Sequence, residues 1–130
     1  MGFFEREFKI GDRWLGENHP TYFIAEIGAN FDGSIEKAKR LIDAAKASGA
    51  DCAKFQTFVT PKIVSEGGFS RMHLKGVHGS WGRSVSDVFR DVEFPMEWHD
   101  EINAYCQHVG IDFSTSPYFR EAVDKCIELK

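Results

Sequence analysis

Residues 22–33 read Tyr22-Phe-Ile-Ala-Glu-Ile-Gly-Ala-Asn-Phe-Asp-Gly33, an apolar run interrupted by one carboxylate, Glu26, and closed by a turn-forming Asn-Phe-Asp-Gly. In strand alternation Ile24, Glu26 and Gly28 share one face, while Phe23, Ala25 and Ile27 share the other. Residues 51–58, Asp51-Cys-Ala-Lys-Phe-Gln-Thr-Phe58, repeat the design: Lys54 and Gln56 alternate with Ala53, Phe55 and Thr57. A third run, Gly110-Ile-Asp-Phe-Ser-Thr-Ser-Pro117, ends in three hydroxyls. Helical segments separate the runs, and each run is polar near its carboxyl end. That is the pattern of consecutive β/α units in a parallel sheet whose site lies along its carboxyl edge.

The flanking sequence extends this reading. Gly11-Asp12 between Phe8-Lys-Ile10 and Arg13-Trp-Leu15 suits a tight turn, so residues 7–16 are expected to form a small β-hairpin. Asp32-Gly33-Ser34 supplies a cap for a helix running to about Ser48, with Ile35, Ala38, Leu41, Ile42 and Ala45 on one face and Gly49 as the stop. Residues 59–93 are irregular and glycine-rich apart from a short amphipathic segment from Ser84 to Val92, and read as a lid or binding loop at the carboxyl end of a strand in preference to a disordered insertion. After Pro95, Trp98, Ile102, Tyr105, Cys106 and Val109 recur at helical spacing up to Gly110. The last segment, Phe119 to Leu129, is helical by the same criterion. The fold class is therefore α/β: a partial (β/α)8 TIM barrel of about three β/α units plus an N-terminal hairpin. A closed barrel needs eight units and about 250 residues, so residues 1–130 are expected to be the N-terminal portion of such a domain, with its C-terminal part absent.

A net charge of −4, a pI near 5.7 and the lack of any basic cluster argue against a nucleic-acid partner. Three cysteines, Cys52, Cys106 and Cys126, form no Cys-x-x-Cys and are odd in number, which suits a reducing compartment. No apolar signal core opens the chain and no stretch approaches the ~20 apolar residues of a membrane span, so a cytoplasmic protein without a membrane partner is expected.

Glu26 is the sharpest candidate for chemistry, because a carboxylate on the barrel-facing side of an apolar strand needs a partner or a ligand. Lys54 would lie about 5 Å away on the neighbouring strand, and the two could simply neutralise each other. Buried charge pairs at the carboxyl ends of barrel strands nevertheless tend to mark sites. Gln56, Thr57, Ser114, Thr115 and Ser116 add neutral donors and acceptors around the same rim. Alternation would turn Lys54 and Gln56 inward together, and likewise Ser114 and Ser116. A lysine and hydroxyls converging on one spot suit a phosphate or carboxylate; a turn before Pro117 is the plainer account of the serines. The five histidines show no metal-ligand spacing and read as solvated surface residues. The cysteines lack a basic neighbour placed to make a thiolate.

Several strings in order, Phe23-Ile-Ala-Glu-Ile-Gly-Ala-Asn30, Leu41-Ile-Asp-Ala-Ala-Lys-Ala-Ser-Gly-Ala-Asp51, Ala53-Lys-Phe-Gln-Thr57, Phe94-Pro95 with Trp98-His99, Tyr105-Cys106 and Gly110 through Pro117, resemble the N-terminal part of the sialic acid synthase family. That family comprises the N-acetylneuraminate synthases and their relatives for legionaminic and pseudaminic acids. The likeness runs from about Phe8 onward. It implies a barrel that condenses phosphoenolpyruvate with the open-chain aldehyde of an N-acetylated amino sugar, as a homodimer in the full-length protein and with a divalent metal, Mn²⁺ or Mg²⁺, whose ligands are not in this chain. By the same resemblance Glu26 would be an acid/base or an orienter of sugar and water, and Lys54 would contact phosphoenolpyruvate. Gln56 and Thr57 would line the sugar side, and Ser116, next to Thr115, would face the phosphate. Two departures stand out. Relatives often read Asn-His-Asn-Gly where this chain has Asn30-Phe-Asp-Gly33, which would remove a polar loop contact, and Ser-Thr-Pro where it has Thr115-Ser-Pro117.

The resemblance further implies that the 130-residue chain alone is inactive. The competing readings are another aldol-type barrel using phosphoenolpyruvate or a phosphosugar, and a truncated, non-catalytic binding module.

Overall fold

A computed structural model describes residues 6–72 and 80–129. Strands β1 (Glu7–Ile10) and β2 (Arg13–Gly16) form the expected antiparallel hairpin. Its two-residue turn opens on Gly11 at φ +55°, a conformation that favours glycine. The hairpin lies against the amino ends of the main sheet. Arg13 pairs with Asp51 and donates to the Thr21 carbonyl at 3.0 Å, and Asp51 also accepts the Phe23 N–H at 2.8 Å. That N–H, with Arg13 beside it, holds the Asp51 carboxyl below the usual carboxylate range.

The main sheet contains β3 (Ile24–Gly28), β4 (Cys52–Thr57) and β5 (Asp112–Pro117), all parallel and in the order β3-β4-β5. Helix α1 (Ile35–Ala47) joins the first two strands. Ser34 Oγ caps it by accepting the Lys37 N–H at 3.2 Å, and its Ala38, Ile42 and Ala45 are buried. Between β4 and β5 come short helices α2 (Thr60–Ile63), α3 (Glu66–Phe69) and α4 (Val85–Arg90), then the long helix α5 (Trp98–Val109), ended by Gly110 at φ +78°. Helix α6 (Arg120–Glu128) follows β5. His73 and His78 lie outside the described residues, as does the middle of the expected lid.

The core explains this order. Ala25, Ile27, Ala53, Phe55 and Phe113 turn one face of the sheet toward Ala38 and Ile42 of α1 and Ile102 and Cys106 of α5. Phe31 is fully buried among aromatic rings, 6.2 Å from Phe55, 5.6 Å from Phe94 and 5.8 Å from Trp98 between centroids. Right-handed crossovers that step in one direction across a sheet place every helix on the same side. The opposite face, carrying Ile24, Glu26, Lys54, Gln56, Ser114 and Ser116, receives no helix among the described residues. No helix among the described residues is long and apolar enough to cross a membrane.

Two expectations need correction, and one helix is only partly covered. Glu26 is not enclosed: its side chain keeps 49 % of its exposure, because three strands leave their helix-free face open. His99 is not a surface histidine but has no exposure at all. On α6 only Ala122 is buried, while Val123 and Ile127 of the same apolar face remain exposed.

Candidate functional site

The parallel register sets side chains in rungs across the helix-free face. Glu26 pairs with Lys54, and Lys54 with Ser114; one step toward the carboxyl end, Gln56 pairs with Ser116. Neighbouring strands are about 4.8 Å apart, so each rung brings its side chains within reach of one another. Lys54 Nζ donates to Glu26 Oε2. Both groups stay reachable from solvent, Lys54 with 30 % of its side chain exposed.

The ladder slips by one residue between Glu26 and Gly28, so that Gly28 rather than Ile27 stands opposite Phe55. Ile27 turns into the core, and Gly28 takes φ +59°. The space above its Cα is bounded by three polar groups. A β-carbon there would sit 3.5 Å from Glu26 Oε1, 3.8 Å from Asn30 Nδ2 and 3.9 Å from Gln56 Nε2. Asn30 is held in place by donating to the Ile27 carbonyl at 2.9 Å. A carboxylate, an ammonium, two amides and two hydroxyls thus share one open surface, a set able to bind an anion and a polyhydroxylated molecule side by side.

Thr57 and Thr115 do not join this group. Alternation turns both toward the helices, where Thr57 is fully buried. Its Oγ1 lies 2.8 Å from Thr115 Oγ1 and 2.9 Å from His99 Nε2. Of the seven residues singled out for chemistry, the structure gathers Glu26, Lys54, Gln56, Ser114 and Ser116 on one face and puts Thr57 and Thr115 behind it. Among the described residues no three His, Cys, Asp or Glu side chains come together in a way that could hold a metal ion. The described residues by themselves therefore supply no site for a divalent metal. Burial pushes the Cys106 thiol up to about 12 and raises Cys52 as well, so neither is a thiolate at neutral pH.

A groove of about 660 Å³ lies away from Glu26 and Lys54. It runs along the free edge of β5, between Ile10 and Gly11 of the hairpin turn, Asn103 and Gln107 of α5, and Cys126 of α6. It marks unpaired backbone rather than a shaped ligand cavity.

Residues 41–130 match the model of the NeuB family. The chain belongs to the NeuB family. It is 41 % identical over 120 residues to the mouse N-acetylneuraminate-9-phosphate synthase, covering 90 % of this chain and 32 % of that protein. To the pseudaminic acid synthase of Campylobacter jejuni it is 35 % identical over 105 residues, 80 % of this chain and 30 % of that one. The fold matches the crystal structure of the N-acetylneuraminic acid synthetase of Leptospira borgpetersenii in complex with citrate, with a TM-score of 0.77 at 23 % identity, over 95 % of this chain and 38 % of that one. This NeuB-family chain thus spans about a third of the length of the curated relatives it matches, in their N-terminal part.

Two residues of this NeuB-family chain escaped the sequence reading of the site. Asn30 lies in the turn after β3, where its amide donates to the Ile27 carbonyl and borders the polar group beside Gly28. His99 stands three residues before Ile102 and seven before Cys106, so helical spacing does place it on the buried face. Phe31, expected to cost the loop a polar contact, fills the core instead.

Proposed function

We propose that the chain is the N-terminal part of a nonulosonic acid synthase, contributing the first three β/α units of its barrel. The whole enzyme would condense phosphoenolpyruvate with the open-chain aldehyde of an N-acetylated amino sugar. The singly wound sheet with one helix-free face supports the barrel reading, as does the groove left beside β5. The named activities of the relatives support the reaction class.

The observation that carries the proposal is the rung Glu26–Lys54–Ser114, with Gln56 and Ser116 beside it. In the proposed reaction the methylene carbon of phosphoenolpyruvate bonds to the aldehyde carbon. Water then adds its oxygen to the former enol carbon, and the carbon–oxygen bond to phosphate breaks. Lys54 would supply a positive charge to the anionic donor, and the Ser114 and Ser116 hydroxyls would donate to its oxygens. A bound anion would compete with Glu26 for the ammonium. Glu26, once released, is free to orient the sugar aldehyde or the attacking water, or to accept a proton from that water. Gln56 and Asn30, next to Gly28, offer amide groups to sugar hydroxyls.

The test is calorimetric titration of phosphoenolpyruvate into the chain and into its Lys54→Met variant. Binding by the wild type that weakens at least tenfold in the variant is expected, the loss of one charge-assisted contact. A wild-type chain that takes up no phosphoenolpyruvate at about 10 mM, well above a weak-binding Kd, would sink the proposal. Measurable phosphate release by the 130-residue chain alone would overturn its standing as only part of the catalytic unit.

A further inference from the structure

The carboxyl ends of β4 and β5 are tied together behind the site by a line of hydrogen bonds that ends on α5. His99 Nδ1 lies 3.0 Å from the Met96 carbonyl, which can only accept, so Nδ1 carries the proton. In the neutral ring Nε2 is then an acceptor and takes the Thr57 hydroxyl hydrogen across 2.9 Å. With its own hydrogen committed, Thr57 Oγ1 accepts from Thr115 across 2.8 Å. The chain has one direction, Thr115 to Thr57 to His99 to the Met96 carbonyl. Phe94 and Phe113 close around the imidazole at 4.8 and 6.1 Å between centroids, both edge to face, so the ring has little freedom to turn. Burial lowers the His99 pKa, which keeps it neutral.

Thr57 is adjacent to Gln56 in β4, and Thr115 lies between Ser114 and Ser116 in β5. Because side chains alternate, each hydroxyl pinned on the helix side fixes the direction of its neighbours on the open side. We propose that His99 is a positioning residue: through Thr57 and Thr115 it sets the offset between Lys54–Gln56 and Ser114–Ser116, and with it the spacing of the groups that would hold the anionic donor. The inference rests on the phosphoenolpyruvate reading for its ligand, but its geometric part does not.

The experiment compares the wild-type chain with His99→Leu, His99→Gln and Thr57→Val. It uses phosphoenolpyruvate titration together with two-dimensional amide spectra of the ligand-free proteins. His99→Leu fills the space without an acceptor, Gln restores an acceptor toward Thr57, and Val keeps the shape of Thr57 without its hydroxyl. The expected result is binding about tenfold weaker in His99→Leu and Thr57→Val and within about threefold of wild type in His99→Gln, as for one buried hydrogen bond lost or kept. The amides of Gln56, Ser114 and Ser116 should move in the first two and return in the third. A folded His99→Leu or Thr57→Val protein with those amides and the affinity unchanged overturns the proposal and leaves His99 as packing. If His99→Leu fails to fold, Thr57→Val carries the same expectation and the same refutation. A wild-type chain that binds no phosphoenolpyruvate but shows the amide pattern would discard the donor while upholding the positioning role.

Discussion

Glu26 and Lys54 stand on the same rung of adjacent parallel strands and share a hydrogen bond, yet both remain open to solvent. Exposed ion pairs contribute about 0–1 kcal/mol to stability. Lys54→Met and Glu26→Gln should therefore shift the urea midpoint of unfolding by less than the equivalent of ~1 kcal/mol, a value typical of surface pairs. A loss of several kcal/mol on equilibrium denaturation would show that the pair is a structural brace and would weaken its assignment to binding.

Phe31 is where the aromatic core is most vulnerable. It has no exposure and touches the rings of Phe55, Phe94 and Trp98. Phe31→Ala should cost about 3–5 kcal/mol, the sum of lost transfer energy and a partly uncollapsed cavity. Chemical denaturation with tryptophan fluorescence would measure it.

Gly33 allows the turn after β3 to approach the end of α4. Its φ is +66°, and a β-carbon there would lie 2.8 Å from the Asp91 carbonyl oxygen. Gly33→Ala combines a left-handed backbone penalty of about 1–2 kcal/mol with that clash. The variant should lose at least this much stability. An unchanged midpoint would mean that the two loops separate at little cost.

His99 predicts a pH dependence. Desolvation lowers its pKa below the ordinary value of 6.5, with Lys125 on α6 pushing the same way, and Asp100 together with the Met96 and Pro95 backbone opposing. Below pH 6.5 the unfolded chain binds a proton that the native chain refuses, so stability is complete above that value and is lost as pH falls toward the depressed native pKa. Asp51 adds a second loss at lower pH, as its carboxyl protonates below the ordinary 3.8. Denaturation series between pH 7 and 5 should show the first slope in the wild type and a flatter one in His99→Gln. Equal slopes would show that other groups govern this range.

Much of the architecture was legible because the periods are clean. Ala38, Ile42 and Ala45 repeat at helical spacing, and Ala53, Phe55 and Thr57 alternate. The Glu26–Lys54 contact was legible because two short parallel strands joined by one helix leave little choice of register. Thr57 and Thr115 were misplaced when hydroxyls close in sequence were grouped by chemistry. Alternation alone separates Thr115 from Ser114 and Ser116. The one-residue slip at Ile27 leaves no mark in composition, and neither does the approach of Asn30 and Gln56 to the space at Gly28 that accompanies it. Burial of His99 was readable from its helical spacing to Ile102 and Cys106, whereas its partner, the Thr57 hydroxyl on another strand, is a long-range complement that local pattern does not contain.

The hairpin of β1 and β2 grips the sheet through Arg13 and Asp51 at the end of the strands away from Gln56 and Ser116. The hairpin's anchor and the open polar group therefore lie at opposite ends of the same three strands. Laboratory evolution could revise the one end, by trading residues around Arg13, Thr21 and Tyr22, while the other keeps Glu26, Lys54, Gln56 and Ser116 unchanged.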